Sequence, residues 1–224
     1  MKFEIVGSSM QTLLVELDAG EAMYTERGGM AWLTNVDMDT GAKGGLMKGL
    51  GRMVSGESLF MTTYTAKRGG GKIAFSPEAP GSVLAMALEP GQGMLCQRDA
   101  FMCAEESVDL SMHFHQRLGA GLFGGEGFFL QKVEGPGHVF FEIAGEVYET
   151  TLDSGAELGV DPGHIALFEP SVDFSITRVK GVRNMLLGGE GLFLAKLTGP
   201  GKVWLQSLPL TNLAAKLGRY MAKS

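Results

Sequence analysis

Gly124-Gly-Glu-Gly-Phe-Phe-Leu-Gln-Lys-Val-Glu-Gly-Pro-Gly-His-Val-Phe-Phe141 begins again further along the chain as Gly188-Gly-Glu-Gly-Leu-Phe-Leu-Ala-Lys-Leu-Thr-Gly-Pro-Gly-Lys-Val-Trp-Leu205. A looser copy lies upstream, Gly56-Glu-Ser-Leu-Phe-Met-Thr-Thr-Tyr-Thr-Ala-Lys-Arg-Gly-Gly-Gly-Lys-Ile-Ala-Phe75. Each copy reads as two apolar strands joined by a glycine-rich turn, and three copies predict three repeats of one unit. In Gly-Pro-Gly the spacing predicts a type II turn, with φ > 0 at Gly137 and Gly201.

The likeness extends outward from the hairpins. Leu17-Asp-Ala-Gly-Glu21, Leu88-Glu-Pro-Gly-Gln92 and Leu152-Asp-Ser-Gly-Ala156 each place an acidic turn after an apolar run. At one fixed distance beyond come Trp32, Cys103 and Leu167, inside short apolar runs. Val36-Asp-Met38, Val108-Asp-Leu110 and Val172-Asp-Phe174 then alternate, so a strand's period of two turns Asp37, Asp109 and Asp173 outward. The units span 11–79, 82–144 and 146–208 within a single domain, each of five or six short strands. Short strands punctuated by turns are the pattern of all-β sandwiches, jelly rolls and barrels. Tandem units are expected to cover one another's strand edges, since bare edges invite aggregation. A short helix is expected at 211–222, capped by Thr211-Asn212, with Leu213, Leu217 and Tyr220 on one face.

Composition narrows the function classes. Thirty-four glycines against eight prolines in 224 residues fit many tight turns. A net charge of −6 argues against general nucleic-acid binding, which rests on phosphate neutralisation. The two cysteines, Cys96 and Cys103, sit among apolar residues and read as reduced, buried thiols. No run of about 18 apolar residues occurs, and the first residues enter strand-like sequence directly, so a cytoplasmic location is expected.

His113 and His115 have the spacing of half a metal site. Nothing local supplies the remaining ligands, so no metal or cofactor is expected and both read as surface or hydrogen-bonded histidines. Gly124-Gly-Glu-Gly127 and Gly188-Gly-Glu-Gly191 precede strands instead of helices, which makes them turns and not phosphate loops. The recurring Glu57, Glu126 and Glu190 read as a repeated salt bridge or hydrogen bond between units. No nucleophile elbow or other catalytic constellation stands out, so no enzyme is expected.

Three connectors do stand out, at 41–55, 115–123 and 180–187. They carry Lys43, Lys48, Arg52, Arg117, Lys180 and Arg183 with no acidic residue, in a chain acidic overall. Leu46, Met47, Leu50 and Met53 accompany them. One reading packs these segments at a subunit interface. The other dips the apolar groups into a lipid surface while the basic groups meet anionic headgroups.

Thr198-Gly-Pro-Gly-Lys-Val-Trp-Leu-Gln-Ser-Leu-Pro209, with Leu213-Ala-Ala215, Gly56-Glu-Ser-Leu-Phe60 and the Leu17-to-Glu21 opening, resembles a known family across nearly the whole chain. It is the family named for a yeast altered-inheritance-of-mitochondria protein. The resemblance implies three tandem double-stranded β-helix or jelly-roll-like units, similar to the tryptophan RNA-binding attenuation protein. It implies a homotrimer whose nine units close into a ring, and it supplies no catalytic residues. The expected function is therefore a non-enzymatic ring-forming scaffold or binding module, contacting a membrane surface or a partner protein. The alternative is an RNA- or small-ligand-binding ring.

Overall fold

The computed structural model describes residues 1–26, 28–42, 60–116, 127–178, 193–218 and 220. The described residues are all-β apart from 3-10 turns and one short helix. An N-terminal strand, β1 (Lys2–Val6), is followed by three sets of six. The first set is β2 (Thr12–Leu17), β3 (Ala22–Thr25), β4 (Met30–Thr34), β5 (Val36–Ala42), β6 (Phe60–Ala66) and β7 (Gly71–Phe75). The second is β8 (Gly81–Leu88), β9 (Gly93–Gln97), β10 (Phe101–Glu105), β11 (Asp109–Gln116), β12 (Phe128–Glu134) and β13 (Gly137–Ala144). The third is β14 (Val147–Leu152), β15 (Glu157–Val160), β16 (Ile165–Phe168), β17 (Asp173–Arg178), β18 (Phe193–Thr198) and β19 (Gly201–Gln206).

Each set splits into two halves: its first, sixth and third strands pair together, as do its fourth, fifth and second. Sheet A has the order β1-β2-β7-β4, sheet B β5-β6-β3-β10-β13-β8, sheet C β11-β12-β9-β16-β19-β14, and sheet D β15-β18-β17. Sheets B and C thus join the second strand of one set to the third strand of the next. The two joints share one register, Ala104 opposite Tyr24 in sheet B and Phe168 opposite Leu95 in sheet C. In every set the third strand carries a bulge at the same place, after Met30, Phe101 and Ile165.

The chain divides into two compact units. The first comprises Met1–Gln92, Asp99–Leu110 and Val133–Ile143, and its core gathers Leu13, Val15, Met23, Tyr64, Phe75, Cys103 and Phe140. The second comprises Gly93–Arg98, Ser111–Lys132 and Ala144–Ser224, with Phe128, Leu130, Ile165, Phe168, Leu197 and Val203 in its core. Alternation explains the cores: Val36, Val108 and Val172 are buried while Asp37, Asp109 and Asp173 face solvent. Met38, beside Asp37, is exposed, unlike its counterpart Leu110.

Gly137 and Gly201 have φ of 134° and 144°, the sign expected of them. The turn type differs from expectation. Gly135-Pro136 and Gly199-Pro200, both with cis bonds, are the two-residue links between strands, so each proline holds the third place in its turn, where a type II turn puts it second. A carboxylate clamps each turn: Glu105 Oε2 accepts the His138 backbone N–H at 2.6 Å, and Glu169 Oε2 accepts that of Lys202 at 2.8 Å. In the first set Asn35 does this work, donating from Nδ2 to the Gly70 carbonyl.

The C-terminal helix, α1 (Leu210–Gly218), starts before the expected Thr-Asn cap. Its first turn closes on Pro209, whose carbonyl accepts from Asn212 and Leu213 N–H. Leu217 and Tyr220, on the apolar face read from the sequence, are exposed. Among the described residues no helix is long and apolar enough to cross a membrane.

Candidate interaction surface

The repeat leaves one joint unmade. Second-to-third pairing occurs between β3 and β10 and between β9 and β16, which leaves the third strand of the first set, β4, and the second strand of the last, β15. Each ends its sheet among the described residues, with the backbone groups of one edge unpaired.

Side-chain burial follows the same division. The ladder aligns Trp32, Cys103 and Leu167, opposite Ala74, Phe140 and Trp204 respectively. Cys103 and Leu167 are fully buried, whereas Trp32 is 56 % exposed. Leu194 of β18 aligns with Met61 and Leu130, which are buried, yet it is 39 % exposed. Identical places in the repeat therefore differ in exposure according to whether a following or preceding set lies beside them. Residue sizes complement each other within the pairs: the bulky Trp32 faces small Ala74, and small Cys103 faces bulky Phe140.

Beside Trp32 lies a recess of about 460 Å³ on sheet A, bounded by Phe3, Leu14, Glu16, Lys72 and Lys2. Lys72 binds Glu16 across β2 and β7 and draws that carboxyl below its ordinary range. The matching lysine of the third set, Lys202, binds Glu149 at 3.0 Å and is itself raised by that carboxylate. Glu149 also accepts from Trp204 Nε1 at 2.9 Å, so this indole is tied down and buried while Trp32 is not.

Inside the first unit, Glu142 is the strongly perturbed acid. Burial, with Glu78 and Asp99 nearby, pushes its carboxyl up to about 7, against the pull of a hydrogen bond from the Glu78 backbone N–H at 2.9 Å. Gln206 holds the same place in the third set and answers it with neutral partners, Gln97 Oε1 and the Gly163 carbonyl. Both cysteines are buried and neither is joined in a disulfide, and burial pushes the Cys103 thiol well up.

His113 and His115 are exposed on β11. His115 lies flat on Phe129 at 4.0 Å between ring centres, with the Arg98 guanidinium over the same ring. Among the described residues no cluster of three or more metal-ligating side chains forms. Lys43, Leu46, Met47, Lys48, Leu50, Arg52, Arg117, Lys180 and Arg183, expected to meet a partner or membrane, all lie outside the described residues, as do Glu57, Glu126 and Glu190. The structure instead singles out Trp32 and β15. Their signal in the sequence was the size mismatch of Trp32 against Cys103 and Leu167 at one repeated place.

Residues 3–208 match the family model described as Mitochondrial biogenesis AIM24. The chain belongs to the AIM24 family. An uncharacterized protein of Streptococcus pyogenes serotype M6 is 34 % identical, across all of this chain and 92 % of its own length. A crystal structure of an S. pyogenes protein superposes on this AIM24-family chain with a TM-score of 0.79 at 30 % identity. That match covers 98 % of this chain and 99 % of the other.

Proposed function

We propose that this AIM24-family chain is a non-enzymatic scaffold that assembles from copies of itself, joined head to tail by pairing β15 of one copy with β4 of the next. The observation that carries this is the exposure of Trp32, where both aligned residues are wholly buried beside a partner strand. Applying the register of the two internal joints sets Leu33 opposite the partner's Gly159 and Trp32 opposite the partner's Val160. Trp32 then extends the buried face that holds Val160 and Leu197. Both ends of the chain carry a half-joint, so the contact is heterologous and closes only as a ring. The expected closure is a trimer of nine sets.

Such an assembly would multiply the basic-apolar connectors, offering a surface for anionic lipid or a partner protein. Two buried cysteines outside any disulfide are compatible with a reducing compartment such as the cytoplasm.

Light scattering at micromolar concentration tests the reading. The expected mass is about three chains of 23.9 kDa, held by an interface of upwards of about 2,000 Å². Trp32→Lys, which places a charge on an already exposed edge, should return a folded monomer. A wild-type protein that runs as a monomer contradicts the scaffold reading.

A further inference from the structure

The recess beside Trp32 has the shape of an unfilled seat, and the repeat indicates its occupant. Within the first unit, the corresponding place is the ground around Phe140, because Phe140 aligns with Ala74 at the centre of the sixth strand. Phe140 belongs to the buried cluster that holds Leu13 of β2, and Phe3 packs edge-on against it at 5.0 Å. In this unit β2, with β1 beside it, thus shares one buried cluster with β13, the sixth strand of the following set. The starts of the two first strands also touch: Gln11 N–H donates to the Gly81 carbonyl, and Gln11 Oε1 accepts from Val83 N–H at 2.7 Å.

In the last set the residue aligned with Leu13 is Tyr148, since Leu13 faces Phe75 and Tyr148 faces Leu205 in matching ladders. Leu13 is fully buried, and Tyr148 is 62 % exposed. The sizes are exchanged in the complementary sense. Leucine covers a phenylalanine in the internal case, whereas here a tyrosine is available where alanine leaves room.

We propose that Tyr148 of one copy inserts into the sheet A recess of the next copy, its ring against Leu14 and Trp32 and its hydroxyl at the Glu16–Lys72 pair. The recess suits this side chain, with apolar walls and a charged rim to meet a phenol's polar end. The inference rests on the head-to-tail reading and adds to it a second contact, outside the β4–β15 ladder.

The test replaces Tyr148 with the photo-crosslinking residue p-benzoylphenylalanine in the full chain, mixed with isotope-labelled wild type. Cross-links from position 148 should join unlike-labelled chains and map to residues 12–16, 30–34 or 72–74. In parallel, Tyr148→Ser should leave the assembly formed at high protein concentration while raising acrylamide quenching of Trp32 at least twofold. An assembly whose cross-links fall elsewhere, or whose Trp32 quenching is unchanged by Tyr148→Ser, overturns the seat and leaves the β4–β15 joint standing. A monomeric wild type overturns both.

Discussion

Gly137 and Gly201 show how single positions fix the hairpins. A methyl group added at Gly137 would come within 2.6 Å of Ser107 Oγ, and one at Gly201 within 2.6 Å of Ser171 Oγ. Gly155 has a positive φ of 78° but open space around it. Alanine at Gly155 should therefore cost only the backbone strain of about 1–2 kcal/mol. Gly137→Ala and Gly201→Ala should each cost more, because the clash adds to the same strain. Urea denaturation of the three variants measures the difference, and equal losses would mean the clamp loops simply give way. Glu142 makes a pH-dependent prediction. Its folded carboxyl titrates near 7, above the ordinary 4.5, so the native state holds a proton that the unfolded chain releases first. Stability from this group is then unaffected below the unfolded value, falls as pH rises from about 4.5 to 7, and stays reduced above. Glu142→Gln, which installs the residue type found at Gln206, should remove that slope and stabilise the protein above pH 7 by on the order of 1–3 kcal/mol. A stability profile whose slope between pH 4.5 and 7 is the same in the variant would refute the assignment.

At the scale of strands and turns, periodicity made much of this fold legible. Two properties carried the reading: the two-residue alternation around Asp37, Asp109 and Asp173, and the recurrence of glycine where the chain must turn. What alternation cannot report is which neighbour an edge meets. β4 and β10 read alike as short apolar runs, yet one ends a sheet and the other joins two strands. The exposure of Trp32 against the burial of Cys103 follows that difference. The helix start was misplaced for a local reason: Thr211 and Asn212 look like a cap, but the Pro209 carbonyl takes the first bonds. The basic and apolar connector residues singled out from composition fall outside the described residues, so the surface follows from the repeat instead. One element-scale prediction follows from the missing joint. Amide hydrogen exchange should show β4 and β15 protected at concentrations where the protein assembles. Both should lose that protection in Trp32→Lys, while β10 and β16 keep theirs. Unprotected β4 in an assembled wild type would place the contact elsewhere.

For the whole molecule, the sets are joined in series by pairing of second to third strands, and a finite series always has two open ends. Joining copies head to tail covers both at once. If the assembled connectors meet anionic lipid, Lys43, Lys48 and Arg52 should each contribute on the order of 1 kcal/mol near the headgroups. Co-sedimentation with anionic vesicles should then weaken as added salt shortens the Debye length below about 8 Å. Absence of sedimentation at low salt would remove the membrane from the account without touching self-assembly. The most direct test of the head-to-tail claim uses two variants, each damaged at one end only. Trp32→Lys keeps an intact β15, and Gly159→Lys keeps an intact β4. Each alone should be a monomer of 23.9 kDa by light scattering. Their equimolar mixture should give a two-chain species with one of each variant, since a single sound joint remains between them. A mixture that stays monomeric, or either variant assembling fully by itself, would contradict the account.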